Sequence, residues 1–129
     1  TSANVKQVTD METDPTGKRP GELGAKLDAN KYLPWLCISG FSLALTTVAD
    51  VTTKGAKKYT PNGWAHVING ESRYMEAFAR HMLALATGEI IDKDSGCLHK
   101  AQMIWNLLAS LELELRRESN QERKTPSNI

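Results

Sequence analysis

Glu89 and Asp92 stand three residues apart within HMLALATGEIIDKDSGCLHKAQMIWN, the stretch from His81 to Asn106. On a helix or tight turn, an E-x-x-D pair can aim two carboxylates at one hard cation, and magnesium commonly bridges such groups to phosphate. Acidic residues ahead of a helix also stabilise its N-terminus, which accounts for Asp92 and Asp94 without any metal. The flanking segments add His81 on one side and His99, Gln102 and Asn106 on the other. The last three fall at i, i+3 and i+7, so they share one helix face. Arg73 and Arg80 stand at i and i+7 on the segment that carries His81. If the two segments fold back about GEIIDKDSG, the histidines and carboxylates meet at one end of a helical hairpin. The same residues have structural readings: His81 as a hydrogen-bonded core histidine, His99 as support for a first helical turn, Asn106 as a polar contact between helices.

Farther upstream, Lys54, Lys57 and Lys58 gather in TTKGAKKYTPNGW. Cations suit a helix C-terminus, and the same charges can face a polyphosphate. Trp64 can fill a core or stack on a base. No Gly-rich GxxxxGK[ST] loop and no GxSxG elbow is present, which removes the common phosphate-loop and serine-hydrolase chemistries.

Three elements must position these groups. A first helix is expected after Ser39-Gly40 and runs to about Lys58, with Leu45, Val48, Ala49 and Thr52 at helical spacing. The Pro61-Asn62-Gly63 and Asn69-Gly70 signals mark a loop. A second helix, from Glu71-Ser72 to about Thr87, carries Tyr74, Ala77, Phe78, His81, Met82 and Leu85 and stops at Gly88. A third begins near Cys97 and runs to about Glu118, with Leu98, Ala101, Trp105, Leu108, Leu111 and Leu115 as its apolar face. Pro34 makes LPWLCISGF a loop or irregular lead-in.

The fold expected is therefore all-α, a compact bundle of about three main helices. The third helix is apolar around most of its circumference, so a homo-oligomer is expected to complete it. Residues 1–20 and 119–129 are polar and lack aromatics, and read as flexible tails around a domain at 21–118.

A chain of 129 residues supports one modest domain, and 16 Lys+Arg against 15 Asp+Glu give no bulk attraction to a nucleic-acid polymer or an anionic membrane. The 2 cysteines, Cys37 and Cys97, lack metal-binding spacing and read as free thiols. With no apolar run long enough to span a membrane and no signal peptide, a cytoplasmic location is expected.

In combination, GAKLDANKYLPW, TTKGAKKYTPNGW and SRYMEAFARHMLALATGEIIDKDSGCLHKAQMIWNLLASLELE resemble the dATP/dGTP diphosphohydrolase N-terminal domain family. That phage-encoded family looks like a compact relative of MazG-type all-α nucleoside triphosphate pyrophosphohydrolases. The resemblance covers about Gly24 to Glu118 and marks Lys26, Asp28, Lys31, Gly55, Lys57, Tyr59, Asn62, Trp64, Arg73, Arg80, His81, Glu89, Asp92, Ser95, Gly96, His99 and Asn106.

It implies Mg²⁺-dependent hydrolysis of a purine deoxynucleoside triphosphate to monophosphate and pyrophosphate, with Mn²⁺ as a substitute ion, in a phage-infected host's cytoplasm. Glu89 and Asp92 would be metal ligands, with Asp50 a third. His81 and His99 would bind phosphate or assist proton transfer. Lys54, Lys57 and Arg80 would neutralise phosphates, Asn106 or Trp64 would contact the base, and Lys26, Lys31, Asn62 and Arg73 would also bind substrate.

The chain departs from the wider group at three places, the first being the lead-in, which reads Asn30 and PWLCISGF where relatives often have a glycine and an acidic residue near the proline. The earlier helix offers Asp50 alone where an E-x-x-E pair is usual, and Gln102 stands where a histidine is common. A catalytically inactive nucleotide-sequestering protein acting against host defence is the alternative, and a purely structural oligomer the third reading.

Overall fold

The computed structural model describes residues 12–124. Residues 1–11 and 125–129, and with them much of both expected tails, lie outside the described residues. The chain divides into two units, 1–40 and 41–129.

The first unit is organised by Asp14. Its carboxylate accepts the Thr16 N–H at 2.6 Å, the Thr16 hydroxyl at 2.5 Å and the Lys26 N–H at 2.7 Å, while the Ala29 N–H reaches the Thr13 carbonyl at 2.9 Å. Residues 13–29 thus fold on local polar bonds. A short helix, α1 (Pro34–Gly40), follows where an irregular lead-in was expected. Proline at the first helical position surrenders only an N–H that would have no helical partner, so Pro34 starts this helix where mid-strand it would break a ladder.

The second unit contains α2 (Ser42–Lys58), a 3-10 turn (Gly63–His66), α3 (Gly70–Ala86) and α4 (His99–Lys124). Helices α3 and α4 form an antiparallel hairpin, α2 packs on α4, and the 3-10 turn touches both hairpin helices. Asn62 and Asn69, with φ of 61° and 58°, turn the chain in the left-handed region ahead of the 3-10 turn and α3. Asparagine tolerates that conformation better than other side chains do. Gly70 is buried where α3 meets α4, and a Cβ there would stand 2.7 Å from Leu113 Cδ1.

Gly88 closes α3 at φ 97°. Its N–H reaches Leu85 O at 2.9 Å and the Glu89 N–H reaches Ala84 O at 3.2 Å, the paired bonds of a Schellman ending. Helix α4 continues to Lys124, past Glu118 and into the stretch expected to be a tail. Bonds from Arg116 to Glu112 at 2.6 Å and from Arg117 to Glu71 at 2.8 Å link its later turns to earlier ones and to α3.

The inner face of α4 is more polar than its leucines suggest. His99, Gln102, Asn106 and Ser110 are buried together with Ala101 and Ala109. The Ser110 hydroxyl donates to Glu71 O at 2.9 Å, and Trp105 packs edge-on to Trp64 and Tyr74 at centroid separations of 6.1 and 5.5 Å. Ile104, Leu107, Leu108 and Leu111 occupy the opposite face and remain 39–50% exposed. Of the apolar face expected on the third helix, Ala101 is buried and Trp105 and Leu115 are half-buried, but Leu108 and Leu111 stay exposed, and polar residues take their place inside. Among the described residues no single helix is long and apolar enough to cross a membrane.

Candidate active site

The loop from α3 to α4 is a small folded hairpin. Ile91 and Leu98 form an antiparallel bridge, the His99 N–H reaches Ile90 O at 3.0 Å, and the Asp92 N–H reaches Cys97 O at 2.8 Å. Gly96, at φ 72°, turns this loop, and its N–H returns to Asp92 O at 2.8 Å. The Asp94 N–H binds Asp92 Oδ1 at 2.9 Å, a side-chain turn that fixes the carboxylate. Asp92 is thereby held against the first turn of α4 and the side of α3.

There it meets both histidines. His81 Nδ1 lies 2.9 Å from His99 Nδ1 and 3.9 Å from Asp92 Oδ2. One ligand atom from each of His81, Asp92 and His99 falls within 4.8 Å of the other two. The Gln102 amide donates to Asp92 Oδ2 at 3.2 Å, and the Asn106 amide donates to Gln102 O at 2.8 Å. Gln102 was placed in the sequence on one helix face with His99 and Asn106 but was given no role of its own; the structure makes it the partner of Asp92.

Burial, then His99 and Arg80, push the His81 pKa down from 6.5, with Asp92 opposing. For Asp92, burial alone would raise the carboxyl. The Asp94 N–H, the Gln102 amide and the two imidazoles together outweigh it and hold the pKa below 3.8. The pair thus presents a neutral imidazole and an ionised carboxylate at neutral pH.

Both groups open onto a cleft of about 1380 Å³ between α2, α3, α4 and the connecting loops, ample for a nucleotide. Of the residues singled out in the sequence, Lys54, Asn62, Trp64, Arg73, Arg80 and Asn106 also line it. Lys58 and Tyr59, which the sequence also singled out, line it as well, as do Tyr74 and Trp105. Trp64 and Tyr74 both pack edge-on to Trp105, an aromatic wall that joins residues far apart in the chain, so local spacing could not reveal it. Lys54 also pairs with Asp50 at 3.0 Å, a contact that raises the pKa of the ammonium, and lies 3.7 Å from Cys97 Sγ.

The remaining candidates lie elsewhere. Lys57 is exposed and not part of the lining, and Lys26 and Lys31 are exposed on the first unit. Asp50 is exposed on α2. Glu89 faces the far edge of the His99 ring, with Oε2 3.6 Å from Nε2, and the ring itself is buried behind the cleft. Cys97 is buried and Cys37 exposed, both as free thiols.

Magnesium favours oxygen donors in an octahedral shell. The set that converges here is two imidazoles and one carboxylate, with Glu89 and Asp50 outside it, so these residues do not fit the ion that the resemblance implied.

Residues 22–123 match the family model described as dATP/dGTP diphosphohydrolase, N-terminal. No curated protein and no solved structure matches the chain. The match covers most of the sequence, including all of the cleft, and the chain belongs to the dATP/dGTP diphosphohydrolase N-terminal family.

Proposed function

We propose that this chain hydrolyses a purine deoxynucleoside triphosphate to the monophosphate and pyrophosphate, within the nucleotide metabolism of a bacteriophage. The observation that carries this reading is the composition of the cleft, which Lys54, Lys58, Arg73 and Arg80 line together with Asp92, His81 and several aromatic rings. The cations neutralise the triphosphate, while Trp64 or Tyr59 offers a ring face to the base. His81, neutral at physiological pH, takes a proton from water as the water oxygen attacks the α-phosphorus. The bond from that phosphorus to the α,β-bridging oxygen breaks, and pyrophosphate departs with the electron pair. Positioning and charge neutralisation supply most of the rate, as phosphoryl transfer generally requires.

The exposed stripe of Ile104, Leu107, Leu108 and Leu111 on α4 supports a second copy as the partner that covers it.

Incubation with each dNTP and NTP, with divalent ions or with chelator, followed by nucleotide chromatography and pyrophosphate assay, tests the reading. Monophosphate and pyrophosphate from dATP or dGTP are expected. Nucleotides that return intact while raising Tm would establish the sequestering protein instead, a reading favoured by the position of Glu89 and Asp50 outside the convergent set.

A further inference from the structure

We propose that His81, Asp92 and His99 form a binding site for one divalent first-row transition ion, and that Glu89 is the carboxylate that orients His99 from behind.

The distances suit such an ion. Two nitrogens bound to one metal at about 2.1 Å lie roughly 3.0 Å apart at a right angle and about 3.4 Å apart in a tetrahedron. The Nδ1 atoms of His81 and His99 are separated by 2.9 Å, and a modest movement of Asp92 Oδ2 from 3.9 Å completes a face of three ligands. Two imidazoles and a carboxylate on one face suit cobalt, zinc, iron or manganese far better than magnesium. His81 and Asp92 both line the cleft, so the remaining coordination positions face the space where a phosphate or water would lie.

Hydrogen bonding supplies the second, independent observation. His99 is only 4% exposed, and its Nε2 is buried with no hydrogen-bond partner. With no ion present, one histidine must place its proton between the two Nδ1 atoms. If His99 donates it, a bare Nε2 lone pair is left facing the Glu89 carboxylate at 3.6 Å. If His81 donates it, the His99 Nε2–H points at Glu89 from beyond hydrogen-bond reach.

An ion resolves both. Each Nδ1 lone pair binds metal, the His99 proton sits on Nε2, and a small closure gives Glu89 the hydrogen bond that metal-bound histidines usually make to a carboxylate. This arrangement gives Glu89 a role that does not require it to reach the ion. Asp92 keeps a free lone pair on Oδ2 beside its bond from Gln102, because a carboxylate oxygen accepts more than once.

Use of the ion in hydrolysis rests on the function proposed above, where it would take over the activation of water from His81, whose lone pair it occupies, by lowering the pKa of a bound water; its binding does not, and is tested without nucleotide. The full chain, stripped of metal, is titrated calorimetrically with Co²⁺, Zn²⁺, Mn²⁺ and Mg²⁺. One Co²⁺ or Zn²⁺ per chain is expected, bound at least about tenfold more tightly than Mg²⁺. Glu89→Gln should weaken Co²⁺ binding on the order of 10–100-fold.

In the wild-type chain, Co²⁺ should shift the ring-proton resonances of His81 and His99 and spare those of His66, an exposed residue on the 3-10 turn that serves as the internal control. This measurement needs no variant and so is immune to a folding defect. Equal affinity for Mg²⁺, absence of stoichiometric Co²⁺ binding, or unshifted His81 and His99 resonances would overturn the site. Stoichiometric Co²⁺ binding in a chain that turns over no nucleotide leaves the metal site standing and removes the hydrolase. Turnover in a chain that binds no Co²⁺ does the reverse.

Discussion

Replacement of Asp92 by Asn separates the charge of this side chain from its shape. The carboxylate accepts the Asp94 N–H on Oδ1 and the Gln102 amide on Oδ2, the latter at 3.2 Å, with only 16% of the side chain exposed. An asparagine oxygen can keep the first bond, but its nitrogen then meets the Gln102 NH₂ as donor against donor. A hydrogen bond to a charged group contributes about 1.5–3 kcal/mol, and the long distance here selects the lower end. A loss of about 1.5 kcal/mol corresponds to roughly 6–12 °C in Tm for a domain of this size.

The sign of the pH dependence follows from the carboxyl itself. Its folded pKa lies below 3.8 because the two hydrogen bonds and the histidines outweigh burial. Such a group contributes stability that is complete above its unfolded pKa and is lost as pH falls through the folded one. The gap in Tm between the wild type and Asp92→Asn should therefore be widest near neutrality and narrow below about pH 4. Thermal denaturation in metal-free buffer, followed by circular dichroism near neutrality and again near pH 3, measures both effects. Equal Tm at neutrality, or a gap as wide in acid, would refute the argument that Asp92 is held as a carboxylate by Gln102 and the loop.

Because burial, His99 and Arg80 depress His81, its neutral form persists below the ordinary histidine value of 6.5. Turnover should be level above that pH and fall on the acid side, and His81→Gln should cut kcat by about 10²–10⁴-fold, as pH profiles and steady-state rates will show. Trp105→Ala removes two edge-on ring contacts and should destabilise the second unit by about 3 kcal/mol, read by urea denaturation; a loss under about 1 kcal/mol would mean that the aromatic wall is not part of the core. Leu107→Lys combined with Leu111→Lys should lower the mass seen by sedimentation without loss of helix, whereas an unchanged mass would show that this stripe is not where copies meet.

The hairpin was legible because its punctuation is local. Gly88 and Ser95-Gly96 bracket a loop too short to let the helices part, so His81 and His99 had to meet near its mouth. The role of Glu89 was not legible. An E-x-x-D spacing brings two carboxylates together only where the backbone is helical or tightly turned, and here the Ile91–Leu98 bridge extends the chain between them. Glu89 consequently faces one edge of the His99 ring while Asp92 stands with the other nitrogen and His81. Helix α1 was missed because a proline that forbids mid-strand pairing is also a good helix start. The continuation of α4 past Glu118 was missed because a polar, charged sequence there carries no apolar stripe; the long-range tie just before it, from Arg117 to Glu71 46 positions earlier, is one that no local pattern reports.

The polar inner face of α4 bears on function as well as on folding. Gln102 bonds to Asp92, Asn106 to Gln102 O, and Ser110 to Glu71 O, so each of these three buried groups has a partner. His99 Nε2, at the N-terminal end of the same ladder and behind the cleft, has none. An unsatisfied buried group costs about 1–3 kcal/mol. A ladder that is otherwise complete has its defect beside the one place where two imidazoles and a carboxylate converge. Meanwhile α4 turns four large apolar residues, Ile104, Leu107, Leu108 and Leu111, away from its own core. The helix thus devotes its interior to placing the site and leaves part of its hydrophobic stabilisation to a surface that a second chain can cover. Where a second copy covers that surface as proposed, its loss should therefore lower stability more than it changes the local geometry of His81, Asp92 and His99.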